Sequence, residues 1–144
     1  MIYLDTSIIA PFYWTEPLSD LVDELISCET ELVLSELVEV ELLSALSRRV
    51  RTNEISLDVA KAIATQFQTH VRNNFYQLIS IESVHYRLAY SWIGQFNTPL
   101  RTLDALHLAC ASSNNIRLAT ADKALANSAD ILGIETRLLR LDVS

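Results

Sequence analysis

The chain has 144 residues, 50% hydrophobic and 20% charged, with a formal net charge of −7 at pH 7, which predicts one compact domain over residues 1–144. Two glycines are too few for phosphate-cradling loops, which excludes P-loop and dinucleotide-binding functions, and the negative charge argues against tight non-specific binding of nucleic acid. Since no apolar run approaches the ~20 residues of a membrane span and no signal peptide is apparent, we expect a soluble, cytoplasmic protein.

Short β-prone runs alternate with helical patterns along the chain. The predicted strands cover residues 2–4, 31–35, 76–81, 116–120 and 134–139. Helices are predicted from about residue 7 and over 19–28, 35–50, 56–71, 82–95, 102–112 and 122–129. Ser35 is expected to cap the third of these helices. This alternation predicts an α/β fold with a parallel sheet.

Asp5 directly follows the first predicted strand, in the run IYLDTS (2–7). Because chemistry gathers at the carboxyl ends of parallel strands, Asp5 is a candidate functional acid. The alternative is that Asp5, Thr6 or Ser7 only caps the following helix. Asp122 presents the same choice, since it follows the fourth strand in the run TAD (120–122).

Asp104 lies in the first turn of a predicted helix that is apolar on nearly every other face. Because an unpaired buried carboxylate is costly, Asp104 needs either a metal ion or its own helix N-terminus as a partner. His107, one turn later, could contact Asp104 or a substrate phosphate, or pack within the helix. On the third helix, Glu39 and Glu41 border opposite sides of the apolar stripe, and periodicity does not choose between them.

Carboxylates brought together at one sheet edge repel each other unless a cation lies between them. Oxygen-rich sites of this kind suit Mg²⁺ or Mn²⁺. Such an ion lowers the pKa of a bound water and neutralises charge on a phosphate, so we expect phosphodiester hydrolysis. The chain has no G-x-S-x-G motif, no H-E-x-x-H motif and no Cys/His cluster. It therefore lacks the residues of a serine hydrolase, a zinc metalloprotease or a Cys/His site.

Four motifs, in this order and spacing, resemble PIN-domain ribonucleases, and most of all the VapC-type toxins of prokaryotic toxin–antitoxin pairs. They are IYLDTS (2–7), VEL (40–42), LDALHLA (103–109) and LATAD (118–122). The resemblance covers almost the whole chain, and it favours Glu41 over Glu39 because the family's acid stands in a V-E-L context. It implies a parallel sheet of about five strands flanked by helices, a homodimer, and a cognate antitoxin that silences the protein.

The resemblance also implies a metal-dependent endoribonuclease that cuts structured RNA such as tRNA or rRNA. The four acids that would converge on Mg²⁺ or Mn²⁺ are Asp5, Glu41, Asp104 and Asp122. Three of them would bind the metal, and Glu41 would position or activate the attacking water. The hydroxyls expected to support this site are those of Thr6, Ser7 and Thr120. The residues expected to contact RNA are Arg48, Arg49, Arg51, Arg101 and His107.

Two other functions remain open from the sequence. A PIN-like module could hold RNA or a partner protein without cutting. A haloacid-dehalogenase-type phosphatase also has a first strand that ends in Asp, but it needs a second Asp two residues on, where this chain has Ser7. For the antitoxin, we expect docking near exposed aromatic residues at 12–14, with a partner arginine entering the carboxylate cluster.

Overall fold

The structure, a computed structural model, describes residues 1–141. Its strands are β1 (Ile2–Leu4), β2 (Leu32–Ser35), β3 (Gln77–Ile79), β4 (Arg117–Thr120) and β5 (Thr136–Leu138). Its helices are α1 (Thr6–Tyr13), α2 (Ser19–Cys28), α3 (Glu36–Arg51), α4 (Leu57–Arg72), α5 (Ser83–Ile93), α6 (Thr102–Ser113) and α7 (Lys123–Ile131). The predicted α/β fold with a five-stranded parallel sheet is therefore confirmed.

The sheet has the order β3-β2-β1-β4-β5, and every neighbouring pair is parallel. After β3 the chain crosses back over the sheet to place β4 beside β1, with Leu4 paired to Ala119. The strand order reverses between β1 and β4, and open α/β sheets bind their ligands at such a switch point. Asp5 and Asp122 follow these two strands, so the topology places both acids at the switch point.

The core is centred on the two inner strands and on α6. All residues of β1 and β2 are buried, and Leu4 and Val33 have no exposed surface. Burying an aliphatic side chain of this size contributes about 1.5–3 kcal/mol. In α6, every residue from Ala105 to Ala111 is buried, as its nearly continuous apolar sequence predicts. The helix is thereby fixed in the core, with Asp104 at its half-exposed N-terminal end.

Three helices end at asparagines in the left-handed backbone region, where this residue type is tolerated better than most. Asn53 (φ 59°) follows α3, Asn74 (φ 61°) follows α4 and Asn115 (φ 56°) follows α6. The turns predicted near Asn53 and Asn115 are confirmed. Within residues 1–141, no helix combines the length and apolar character needed to cross a membrane.

Two local predictions differ from the structure. The predicted strands 76–81 and 134–139 are reduced to three residues each, since β3 and β5 are edge strands with partly exposed side chains. Ser35 occupies the N-cap position of α3, but its side chain forms no capping hydrogen bond. Its hydroxyl instead contacts the hydroxyl of Tyr3, 2.7 Å away. The Ser35 side chain therefore bonds within the protein interior and does not cap α3.

Candidate active site

Asp5 follows β1 at the N-cap position of α1 and is 4% exposed. Its carboxylate does not cap α1; instead, Oδ1 accepts a hydrogen bond of 2.5 Å from Oγ of Ser7. Burial raises the pKa of Asp5, opposed by the hydroxyls of Ser7 and Thr120. The Asp5 carboxylate is therefore bonded mainly by neighbouring hydroxyls, and the backbone N–H of Ile8 in the first turn of α1 also lowers its pKa.

Ser7 and Thr120 tie the ends of β1 and β4 together. The Ser7 hydroxyl accepts a hydrogen bond from the backbone N–H of Ala121 (2.8 Å) and lies 3.3 Å from Oγ1 of Thr120. The Ser7 hydrogen is used in its bond to Asp5, and the Thr120 hydroxyl also lowers the pKa of Asp5. Thr120 in turn accepts from the backbone N–H of Asp122 at 3.0 Å. A continuous set of hydrogen bonds thus joins Asp5 to Asp122.

Asp122 does cap the helix that follows it. Its Oδ1 accepts hydrogen bonds from the backbone N–H groups of Ala124 (2.9 Å) and Leu125 (3.2 Å) at the start of α7. Its Oδ2 receives no hydrogen bond from any residue in the described chain. The capping alternative is therefore correct for one oxygen of Asp122, and the other oxygen remains available to a ligand.

Asp104 lies close to two other acids. Burial raises the pKa of Asp104, and the like charges of Asp122 and Glu41 raise it further, against the opposing effects of Arg101 and His107. The Arg101 contact is long, 3.7 Å between Nε and Oδ2, and the arginine side chain is 81% exposed. Such an exposed pair contributes little. Asp104, Asp122 and Glu41 therefore share one electronegative environment.

Glu41 is held by two donors from separate parts of the chain. Its Oε1 accepts hydrogen bonds from Oγ1 of Thr6 (2.9 Å) and Nε2 of His107 (2.5 Å). Burial opposes ionisation, but the hydrogen bonds from His107 and Thr6 act against it, and the pKa of Glu41 is lowered. Glu39 instead lines a separate groove between α3 and α4, with Leu43 and Phe67. The fold therefore brings Glu41, and not Glu39, to Thr6.

His107 cannot contact RNA directly, because it is only 2% exposed. That prediction is wrong, and the alternative of packing within the buried helix is correct. Besides Glu41, the ring contacts the hydroxyl of Tyr3 through Nδ1 at 2.7 Å. The sequence analysis missed Tyr3 and Ser35 as parts of this network. A signal was present, since a tyrosine in a buried strand needs a partner for its hydroxyl.

Of the four arginines predicted to bind RNA, two line one cleft and two lie outside it. Arg48 and Arg49 line a cleft of about 320 Å³ next to Thr6 and Ser7. Arg49 pairs with Glu16 at 2.9 Å and lies over the Trp14 ring, 4.7 Å from its centroid. Arg48 is exposed and forms no ion pair within residues 1–141. Two others lie outside this cleft: Arg101, next to Asp104, and Arg51, which bonds Ser47.

The expectation of exposed aromatic residues at 12–14 is wrong. Tyr13 is 9% exposed, and Phe12 stacks on Phe75 with ring centroids 6.0 Å apart. Trp14 is partly covered by Arg49. Aromatic residues pack here because α1 lies against other elements of the fold. The most exposed aromatic side chains belong to another face, around α5, and are Tyr86, Tyr90 and Phe96.

The donor chemistry of the four acids fits a hard divalent cation, because all the candidate ligands are carboxylate oxygens. Within residues 1–141, however, no three Asp, Glu, His or Cys side chains are arranged to hold one ion. One oxygen each of Asp5, Glu41 and Asp122 already accepts hydrogen bonds. The carboxylates would therefore have to move to surround an ion. Asp104 and Asp122 are partly exposed, so their side chains can move.

Comparison with solved structures identifies several with this fold. FitAcB from Neisseria gonorrhoeae matches with a TM-score of 0.75 and 17% identity, over 95% of this chain and 96% of that one. VapC20 from Mycobacterium tuberculosis, described as a sarcin-ricin loop cleaving toxin, matches with a TM-score of 0.69 and 16% identity, over 89% and 95%. VapBC2 from Rickettsia felis, bound to a promoter DNA fragment, matches with a TM-score of 0.64 and 19% identity, over 99% and 100%.

These identities are low, so the structures establish a shared fold. A comparison with curated proteins finds no match. The family model described as "PIN domain" matches residues 2–131, which includes all four acids and nearly the whole described chain. The resemblance found in the sequence is thereby confirmed, and the chain belongs to the PIN domain family.

Proposed function

We propose that the protein is a metal-dependent endoribonuclease, the toxin of a toxin–antitoxin pair, that hydrolyses phosphodiester bonds in structured RNA such as tRNA or rRNA. The observation that carries the proposal is the shared environment of Asp104, Asp122 and Glu41 at the switch point of a PIN domain. The like charges of Asp122 and Glu41 raise the pKa of Asp104, and a bound cation would relieve this repulsion.

In the proposed mechanism, three acids hold the metal ion and the fourth acts on the attacking water. Asp5, Asp104 and Asp122 would hold Mg²⁺ or Mn²⁺, which when bound stabilises the negative charge that builds on the scissile phosphate. Glu41 would position or activate the attacking water through the oxygen that accepts no hydrogen bond from the described residues, and its lowered pKa favours the ionised form while weakening it as a base. Thr6 keeps Glu41 in place, while the hydroxyls of Ser7 and Thr120 keep Asp5 in place.

The cleft next to Thr6 and Ser7 is the proposed path for the RNA backbone. Its free cation is Arg48, whose guanidinium forms no ion pair with the described residues and can bind a phosphate in bidentate fashion. Arg49 supports this cleft through its contacts with Glu16 and Trp14. In a protein of net charge −7, a local positive group of this kind is needed to bring a polyanion to the acids.

We further propose a cognate antitoxin and a homodimer in the cytoplasm. Solved structures with this fold include one described as a toxin–antitoxin complex from Klebsiella pneumoniae, at 14% identity and a TM-score of 0.64. An antitoxin arginine placed among the carboxylates would neutralise them in place of a metal. Tyr86, Tyr90 and Phe96 line one exposed groove, and apolar surface of this kind is typical of protein–protein interfaces.

A non-catalytic RNA- or protein-binding module is the second candidate, favoured by the lack of a preformed three-ligand metal group in residues 1–141. Sequencing of RNA 5′ ends after induction distinguishes the two candidates. The nuclease predicts new ends clustered at one structured site with the wild type and none with Asp5→Asn. An unchanged profile for the wild type would support the binding module instead.

A further inference from the structure

A chain of buried hydrogen bonds runs from the middle of the sheet to Glu41. The hydroxyls of Ser35 and Tyr3 lie 2.7 Å apart, and the Tyr3 hydroxyl lies 2.7 Å from Nδ1 of His107. Nε2 of His107 then contacts Oε1 of Glu41 at 2.5 Å. Ser35 and Tyr3 have no exposed surface, and His107 is 2% exposed. Four elements, β2, β1, α6 and α3, each contribute one residue to this buried chain.

The direction of these hydrogen bonds follows from the groups involved. An ionised carboxylate can only accept, so Nε2 of His107 must carry a hydrogen and donate it to Glu41. We assign the neutral imidazole, in which Nδ1 accepts from the Tyr3 hydroxyl; an imidazolium would donate there and reverse the chain. Tyr3 has only one hydrogen to give, so its oxygen accepts from Ser35. This arrangement explains why the Ser35 side chain does not cap α3.

Glu41 is held by only one of its two oxygens. His107 and Thr6 both donate to Oε1, and no donor within residues 1–141 bonds to Oε2. Two donors on one oxygen fix the rotation of the carboxylate and leave the other oxygen for a ligand. Buried polar groups contribute no more stability than apolar side chains, because each must form a hydrogen bond to offset its desolvation. Stability alone therefore does not explain a polar chain that leads to Glu41.

We propose that His107 is a positioning residue, which fixes the Glu41 carboxylate so that Oε2 meets the attacking water, and that Tyr3 and Ser35 hold its imidazole with the hydrogen on Nε2. This role rests on the proposed nuclease function, in which Glu41 positions or activates that water. The assignment of the hydrogen to Nε2 does not depend on catalysis and can be measured separately.

The first test uses Tyr3→Phe, which removes the hydroxyl and keeps the ring. As a matched control, Tyr13→Phe removes another buried tyrosine hydroxyl, which bonds Nδ1 of His70 at 2.6 Å but does not lead to Glu41. With RNA as substrate and folding verified by circular dichroism, we expect Tyr3→Phe to lower kcat about 10- to 100-fold with KM unchanged. Equal effects of the two variants on kcat would overturn the positioning role.

A double-mutant cycle tests whether His107 acts through Glu41. His107→Gln, which can keep a donor near the position of Nε2, should retain more activity than His107→Leu. In a Glu41→Gln background, His107→Leu should cause no further loss, because the group that it positions is already disabled. A further loss equal to that seen in the wild-type background would show an independent role and overturn the proposal.

The second test needs no activity. Nitrogen-15 NMR of the imidazole in the metal-free wild type should show a hydrogen on Nε2 of His107, and Tyr3→Phe should shift the Nδ1 resonance. Nε2 without a hydrogen, or hydrogens on both ring nitrogens, would overturn the proposal. If the wild type cuts no RNA but Nε2 carries the hydrogen, the nuclease function fails while the assigned hydrogen-bond direction stands, so the two failures are distinguishable.

Discussion

His107 and Glu41 are 66 positions apart in the chain, yet Nε2 of one donates a hydrogen bond to Oε1 of the other. This contact supplies Glu41 with a close buried donor, whereas the contact of Asp104 with Arg101 is 3.7 Å long. Both carboxylates are half-buried, but Glu41 is surrounded by donors and its pKa is lowered, whereas Asp104 has acids nearby and its pKa is raised. The same site therefore stabilises one charge and destabilises another, and the pH dependence of folding should reflect both.

Asp104→Asn should stabilise the metal-free protein. The folded pKa of Asp104 is above its unfolded value, so ionisation favours the unfolded state as pH rises, and the charge costs stability at neutral pH. We expect removal of this charge to add about 1 kcal/mol, which corresponds to a rise of about 3–5 °C in Tm. Thermal melts in EDTA measure this change.

The control for this measurement is Asp23→Asn, an exposed aspartate inside α2 whose replacement should change Tm little. Mn²⁺ should raise the Tm of the wild type, since an ion at 100 times its Kd adds about 2.7 kcal/mol, and it should do much less for Asp104→Asn. A destabilised Asp104→Asn together with a wild type indifferent to Mn²⁺ would contradict the shared site.

Glu41→Gln should have the opposite effect on stability. Because the folded pKa of Glu41 is lowered, its charge contributes stability above the unfolded pKa, and this contribution is lost as pH falls through the folded pKa. Allowing for partial exposure, we expect a loss of about 0.5–1 kcal/mol at neutral pH that disappears in acid. Urea melts at neutral and acidic pH, with Glu24→Gln in α2 as control, measure it; a loss independent of pH would point to packing instead.

The location of three of the four acids, Asp5, Asp104 and Asp122, could be predicted from sequence because it follows from local rules. Asp5 and Asp122 each come directly after a short apolar strand, and parallel strands bring such residues to one edge of the sheet. The buried helix α6 could be predicted from its continuous apolar run. Glu41 could not be distinguished from Glu39 by periodicity, because the two border the same stripe; only the V-E-L context favoured Glu41.

The buried contacts could not be predicted, because they depend on residues that are distant in sequence. Serine is a common N-cap residue, but the Ser35 hydroxyl forms a hydrogen bond with the Tyr3 hydroxyl instead. The hydrogen bond between His107 and Glu41 could not be predicted, because nothing in the VEL or LDALHLA motif indicates that the two residues meet. The residues at 12–14 are aromatic, and sequence alone did not show that α1 packs them against the rest of the fold.

Arg48→Gln should weaken RNA binding more than Arg51→Gln. Arg48 lines the cleft next to Thr6 and Ser7, whereas Arg51 lies outside it and bonds Ser47. In an Asp5→Asn background, which prevents cleavage, Arg48→Gln should lower affinity about tenfold and reduce the slope of log K against log salt by about 1. Binding titrations at several salt concentrations measure both. Equal effects of the two variants would place the RNA path elsewhere.

The most direct test of the proposed function is cleavage of a structured RNA by the purified protein, measured for the wild type with Mg²⁺ or Mn²⁺, the wild type in EDTA, and Asp5→Asn, with Asp23→Asn as the folded control. Asp5 is the most buried of the four acids, and its carboxylate accepts a hydrogen bond from Ser7. We predict cleavage by the wild type and by Asp23→Asn in the presence of metal, and none by Asp5→Asn or in EDTA. Undiminished cleavage in EDTA, or by folded Asp5→Asn, would contradict the metal-dependent mechanism.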